Sequence, residues 1–500
     1  MQDIIEVEIT GAAPGGALPT PAQQAVLRRR RRWAMVALCF GGFVTILDMF
    51  IVNVAIPSIR DGLGANFAQI QLVLVGYDAA YGVSLMNGAR LGDLFGRRRL
   101  LLIGIGLFTL ASLACGLAPT PLTLIIARVI QGTGAALLTP QVMASIRVLF
   151  DGAARRRAFG IMGAVQGVAA MTSQLIGGAL IEFGPPEHGW RLIFLVNLPI
   201  GIAALFVVRR FVDESRAPVA ARVDFAGAAI GAAGLAMFLL PIMEGRQYGW
   251  PWWSIVVPLL SIPLFMYFVR YERALSTRGG VPIIDMDLFH NKTFVNGGLG
   301  MLLLYTSVSS FFLSLTIFLQ TGLGMPPLLA GAVFAPSAAA FFIGSLLGPR
   351  LAHWIGHKAL LAGIGIYVIG IALAAVAAWY ALGSMSYLLL ALTLNGLGQG
   401  IAIPLAYNTV LGRVDLAHAG MASGAISTLQ SVGASVGVVI IGLILFSLID
   451  SGSVPSLVDR HAMYSHAFGL ATLYNVCVSS VSILMFWWAS RRTVPVAAAA

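Results

Sequence analysis

Three ionisable side chains lie inside apolar runs, where water would be scarce. Asp48 falls in the run that opens at Trp33, Asp78 in the next run beside Tyr77 and Tyr81, and Arg128 in the fourth. At 1.5 Å of rise per helical residue, Asp48 lies roughly 22 Å beyond the arginine-rich start of its run, and Arg128 at a similar depth. Asp78 falls near the middle of its run. A charge held at membrane depth costs about 2.5–3.5 kcal/mol or more and marks an ion path, a proton relay or a paired contact. A carboxyl deprived of bulk water can take up and release a proton, which is the chemistry of a proton carrier. An arginine at that depth needs a carboxylate or carbonyl partner, and it would bias the protonation of any acid it faces. The alternative is static: helix-to-helix hydrogen bonds for the acids and a fixed ion pair for Arg128. The residues leave open which of Asp48 and Asp78 would exchange the proton.

The elements that must carry these groups follow from composition. Of 500 residues, 58% are hydrophobic and 10% charged, and the mean hydropathy is +0.88. Soluble chains carry about 25% charged residues, so three soluble domains are excluded in favour of an all-α membrane protein. With about 20 apolar residues per span, the pattern predicts fourteen transmembrane helices. They are placed at 33–57, 68–90, 100–118, 121–146, 156–183, 190–208, 223–243, 250–270, 291–319, 326–348, 358–380, 385–410, 418–448 and 464–490.

The net charge of +11 does not point to nucleic acid, because the basic residues form short clusters between apolar runs, not one wet surface. On this layout 26 of the 31 Lys and Arg residues fall on one side. Short cytoplasmic loops collect such residues, so both termini are expected to be cytoplasmic. Cys39, Cys115 and Cys477 each sit alone in an apolar run, which excludes a disulfide framework or a cysteine metal site. The chain also repeats itself. Gly88–Leu101 is echoed by Gly348–Leu361, and Gln131-Gly-x-Gly with Pro140 by Asn395-Gly-x-Gly with Pro404. Residues 33–210 and 291–490 therefore read as two related six-helix bundles. Residues 211–290 read as a linker with two inserted helices, and 1–32 and 491–500 as tails. Duplicated bundles are the build of secondary transporters, with the substrate site near the midplane where the halves meet.

The residues then carry a family resemblance. The 88–101 segment, with Leu91, Asp93, Gly96, Arg97 and Arg98, resembles the loop 2–3 signature of the major facilitator superfamily. Leu124-x-x-x-Arg128-x-x-Gln131-Gly132-x-Gly134-Ala135-Ala136 resembles its helix 4 signature. Leu47–Pro57, and Trp190–Gly201 with Asn197, resemble the helix 1 and helix 6 signatures of the fourteen-helix drug:proton antiporters. Departures are Ala89 and Leu94 in the loop, Phe50 in helix 1, and Ala169, Ser173 and Gln174 in helix 5, where glycine, glycine and proline are usual.

The resemblance implies proton-coupled export of hydrophobic or cationic organic compounds by alternating access. Asp48, Asp78 and Arg128 would couple protons. Asn53, Tyr77, Gln131, Tyr305, Phe312 and Asn395 would line the substrate cavity, with Phe311 and Gln320 as further candidates on helix 9. Asp93, Gly96, Arg97 and Arg98 would form a conformational latch linking helix ends across the two halves, or else serve only as topogenic charge. Gly132, Gly134, Gly177 and Gly178 would let helices approach closely. No catalytic residue, cofactor or metal is expected. His353 and His357 have ligand spacing but no third ligand nearby, and the phosphate loop of an ATPase is absent. The expected state is a monomer in the lipid bilayer, driven by protons. The rivals are a dedicated exporter of one metabolite, lipid or peptide on the same fold, and a polytopic enzyme or sensor.

Overall fold

The computed structural model describes residues 20–185, 187–216, 223–278, 280, 282–284, 286–379, 385–412, 414, 419–449 and 457–491. The described chain is helical throughout its length, and 13 of its helices are long and apolar enough to cross a membrane. The fourteenth spanning helix is α2, Phe67–Phe95, 29 residues long. It is less apolar than the others because it carries Gln69, Gln71, Asp78, Asn87, Arg90 and Asp93, of which Gln71, Asn87 and Arg90 are buried in the protein.

The N-terminal half contains α1 (Pro21–Leu63), α2, α3 (Arg97–Gly116), α4 (Pro121–Leu149), α5 (Gly152–Glu182), the short α6 (Leu192–Leu195) and α7 (Asn197–Phe211). The insertion is α8 (Phe225–Gly245) and α9 (Trp253–Thr277). The C-terminal half contains α10 (Lys292–Ile317), α11 (Pro327–Val333), α12 (Ala335–Ile355), α13 (Lys358–Trp379), α14 (Met385–Leu411), α15 (Ala419–Ile449) and α16 (Leu457–Arg491). Two spans are interrupted. α6 and α7 join at Val196, and α11 and α12 at Phe334, where Pro336 lacks the amide that would continue the ladder.

Local signals fix several starts. Asn66 caps α2 in a reciprocal capping box with Gln69, and Thr120 does the same for α4 with Thr123, followed by Pro121 at the first helical position. At the N-terminus the helix differs from the expectation of a tail up to residue 32. α1 begins at Pro21 and takes Arg28 to Arg32 into the helix, since arginine is a good helix former and nothing there breaks the run.

The sequence repeat reappears as a repeat of packing. α4 packs on α2 and α3 as α14 packs on α12 and α13, and α1 packs on α5 and α7 as α10 packs on α15 and α16. The halves meet through α2 on α15 and through α5 on α11 and α12, while the α8–α9 hairpin leans on α2 and α15. The contact surfaces are built from small residues. A Cβ on Gly132 would enter the Tyr77 backbone, and one on Gly134 would stand 2.7 Å from the Phe108 amide. On Gly177 it would lie 2.6 Å from Val54, and on Gly178 2.5 Å from the Pro327 carbonyl. These four glycines therefore bring α4 onto α2 and α3, and α5 onto α1 and α11.

The halves touch most closely away from the arginine-rich ends of the helices. There Phe67 of α2 stacks on Phe446 of α15 with centroids 3.7 Å apart, and the Gln71 amide donates to the carbonyl of Val438 at 2.8 Å. Gln320, in a π-helical turn after α10, donates to the Val54 carbonyl of α1 at 2.7 Å. Toward the arginine-rich ends the α5 face opens. Gly178 and Gln174 meet α11, and a Cβ on Gly167 would lie 3.8 Å from Phe342 of α12. On Gly163 and Gly160, further along the same stripe, it would meet nothing within 4 Å among the described residues. The molecule is closed at the face away from the arginines and parted along α5 at the arginine-rich face.

Candidate functional site

Asp48 is fully buried in the N-terminal half, and its carboxylate is surrounded by donors from two other helices. Its Oδ2 accepts from Arg128 Nη1 at 2.6 Å, and its Oδ1 accepts from the side-chain amides of Gln131 and Asn197, each at 2.8 Å. The spacing of α4 makes this possible, because residues three apart lie on one face of a helix. Arg128 and Gln131 therefore reach the same carboxylate, and Arg128 also donates to the Gln131 amide oxygen at 2.7 Å. Asn197 reaches it because the break at Val196 starts α7 there. Ser112 of α3 closes the network, accepting from Gln131 at 3.1 Å and Asn197 at 3.0 Å while donating to the Phe194 carbonyl at 2.9 Å.

Arg128 is 1% exposed and has further anchors. Its Nε donates to the Val73 carbonyl at 3.2 Å, and its guanidinium lies 4.1 Å from the centroid of the Tyr77 ring. It thus holds both of the partner types expected of a buried arginine, a carboxylate and a carbonyl. The pair is buried with its hydrogen bonds largely satisfied, the condition under which an ion pair survives desolvation. Every group in this network belongs to the N-terminal half.

Asp78 differs in its contacts. It is half-buried, and among the described residues it makes no hydrogen bond or ion pair. Tyr77 and Tyr81 flank it with parallel rings 6.4 Å apart. One acid is thus locked in place and the other is open.

The other expected positions divide between bundle interiors and the seam of the halves. Phe312 is at the seam, stacked on Phe334 at 5.4 Å and tilted against Phe50 of α1 at 5.8 Å. Asn53 is half-buried on α1 and donates back to the Phe50 carbonyl, and Tyr305 is half-buried on α10. Gln131 and Tyr77 belong to the Asp48 network and not to a cavity wall, since helix spacing turns them inward. Asn395 is likewise inside the C-terminal half, its oxygen accepting from Gln399 at 2.9 Å and Ser337 at 3.3 Å. Phe311 is core, packed on Phe468, and Gln320 is a closure contact with α1. Ser112 was not among the expected site residues. A lone serine in an apolar run carries no signal until α3 is packed beside α4.

The loop group is also placed differently from a link across the halves. Asp93 accepts from Arg97 at 2.9 Å within its own turn. Gly96 has φ 107°, and the Glu214 carboxylate sits against it, accepting from the amides of Arg98 at 3.1 Å and Arg99 at 3.2 Å. The start of α3 is thus capped by the segment that follows α7, and Arg30 pairs with Asp213 on the same segment. None of these described contacts reaches the C-terminal half. His353 and His357 are exposed, and among the described residues no group of three potential ligands could hold a metal ion.

Comparison with known proteins agrees with this architecture. A family model described as Major Facilitator Superfamily matches residues 38–438. The chain is 34% identical to the "Probable actinorhodin transporter" of Streptomyces coelicolor over 90% of this chain and 78% of that one. It is 32% identical to the puromycin resistance protein of Streptomyces alboniger over 97% of this chain and 94% of that one. Among solved structures, a bacterial homologue of the human lysosomal transporter Spinster, in an inward-facing and occupied conformation, superposes with a TM-score of 0.64. It is 16% identical, and the match covers 96% of this chain and 98% of that chain, a likeness of fold.

Proposed function

The chain belongs to the major facilitator superfamily, a multi-pass membrane transporter, and from that premise we propose that it exports antibiotic-like organic compounds in exchange for protons. The arginine-rich face is then cytoplasmic in a bacterial inner membrane, with both termini on that side. The cargo class rests on relatives named for actinorhodin transport and puromycin resistance.

The observation that carries proton coupling is the contrast between the two acids. Asp48 is held by three donors, and the α1 stretch just beyond it, Phe50 to Val54, touches Phe312 and Gln320 of the C-terminal half. Asp78, one residue from the Tyr77 ring under Arg128, has no such partner. Asp78 is the exchanging group in this reading, and the Asp48–Arg128 pair is the fixed body that keeps α1, α2, α4 and α7 moving together.

In the state open to the arginine-rich face, cargo enters between the halves and Asp78 gives up its proton to the cytoplasm. Rocking of the halves opens the opposite face. There Asp78 is reprotonated and cargo leaves. Each charge crossing about 100 mV contributes about 2.3 kcal/mol, near a 50-fold gradient.

Everted membrane vesicles loaded with the chain should take up a fluorescent drug when an inward-acid gradient is imposed, and lose that uptake on adding a protonophore. No gradient-dependent uptake of any compound in a broad panel, with Asp78→Asn indistinguishable from wild type in a resistance assay, overturns the reading. A second reading is a dedicated exporter, since the actinorhodin and puromycin relatives are each named for one compound, while the Mycobacterium tuberculosis relative Stp is named for multidrug resistance. A resistance profile confined to one compound would select it.

A further inference from the structure

The insertion contains a second buried acid pair, remote in sequence from the Asp48 network. Asp224 immediately precedes α8 and is 6% exposed, while Glu272 lies near the end of α9 and is fully buried. One oxygen of each is explained by folding. Asp224 Oδ1 caps α8, accepting from the Gly227 amide at 2.8 Å and the Tyr271 hydroxyl at 3.1 Å, and Glu272 Oε2 accepts from the Ile284 amide at 3.2 Å. The other two oxygens, Asp224 Oδ2 and Glu272 Oε1, are buried without a donor among the described residues. They converge on the same point, because a Cβ added to Gly227 would collide with both at once. Only glycine there leaves room for the two carboxyls to meet.

An ionised carboxylate only accepts hydrogen bonds. Two of them buried face to face would repel and leave lone pairs unsatisfied, so such pairs hold one proton between them. The neighbouring charges fit one negative charge and not two. Among the described residues, Arg90 of α2 is buried beside the pair and donates to the Pro282 carbonyl, and Tyr271 is the other titratable neighbour. α15, which also packs on α8, has no ionisable residue over Ala419–Ile449.

We propose that Asp224 and Glu272 form a binding site for a single proton where the insertion docks on α2. With the proton in place, one acid donates to the other and the remaining charge is balanced by Arg90. Without it, a net negative charge is buried at the junction that Asn87 secures by donating to the Asp224 carbonyl at 3.0 Å. The site stands apart from the export reading, as its ligand is the proton alone and no cargo is involved. Its bearing on α2 is direct, because Asp78 is carried on the same helix.

The test is infrared difference spectroscopy of the full chain in lipid nanodiscs, stepped from acid to alkaline buffer. Wild type is expected to show the carbonyl band of a buried protonated carboxyl that disappears on the alkaline step. The band should be lost, or its titration moved to lower pH, in both Glu272→Gln and Asp224→Asn. The asparagine keeps the helix cap, and the glutamine can donate to Asp224, so both variants are expected to fold. Isotopic labelling of the glutamate carboxyls should shift the band in wild type, with no substitution at all. A wild-type spectrum with no such band, or a band unchanged in both variants, overturns the proposal even if drug export is normal. Export that fails while the band behaves as expected leaves this site intact and removes only the export reading.

Discussion

Replacing Asp48 by asparagine removes the charge that Arg128 faces inside the N-terminal half, while replacing Asp78 removes a carboxyl that makes no hydrogen bond or ion pair among the described residues. The two substitutions should therefore separate stability from transport. Leaving one member of a buried pair uncompensated costs about 3–5 kcal/mol, so Asp48→Asn is expected to lower the thermal midpoint in detergent by several degrees. Asp78→Asn should unfold within a degree or so of wild type and still lose gradient-driven uptake. Equal melting of the two variants would show that Asp48 is not the structural member. Asn197→Ala and Ser112→Ala should each weaken the same network by about 1 kcal/mol, the usual net value of a hydrogen bond, measured against the same midpoint.

At the scale of elements, the seam between α5 and α11 depends on glycine for its closeness. A side chain on Gly178 would meet the Pro327 carbonyl at 2.5 Å and the Leu328 Cα at 2.7 Å, both backbone atoms that cannot turn aside. Gly178→Val should therefore hold α5 off α11 and disfavour the state closed at the face away from the arginines. The expected signature is a cysteine probe at Gly163 that reacts less with a water-soluble maleimide than in the Gly178 parent, because opening one face closes the other. The α2–α3 turn obeys a different logic. Glu214 caps the start of α3, where the helix dipole favours an anion. That ties the turn to the segment after α7.

For the whole molecule, rocking requires that the ends now in contact come apart. Gln71 of α2 and Gly442 of α15 meet at the closed face. Cysteines placed at both positions, Gln71→Cys with Gly442→Cys, should cross-link on oxidation, arrest transport, and recover it on reduction. Transport that continues through the cross-link would mean the halves do not separate there. The same scale explains the outer surface. α9 leaves Ile255, Leu259, Ile262, Met266 and Tyr267 exposed, an apolar face that is stable only against lipid.

Sequence by itself indicated the number and order of spans, the repeat between the halves and the placing of Asp48, Asp78 and Arg128 inside apolar runs. These follow from local quantities: run lengths against bilayer thickness, charge between runs, and motif spacing along one helix. It also required that Arg128 have a partner, since a lone guanidinium at that depth is too costly. It did not name that partner: Asp48 shares the depth of Arg128 and Asp78 lies near the middle of its run, but depth along separate helices does not say which helices touch. Only the tertiary structure chose Asp48, by setting α1 against α4 and α7, and moved Gln131 and Asn395 from a cavity wall into the bundles. The meeting of Asp224 with Glu272 over Gly227 was equally invisible, because the three are brought together by how α8 folds back on α9, and proximity across a fold has no periodicity to read.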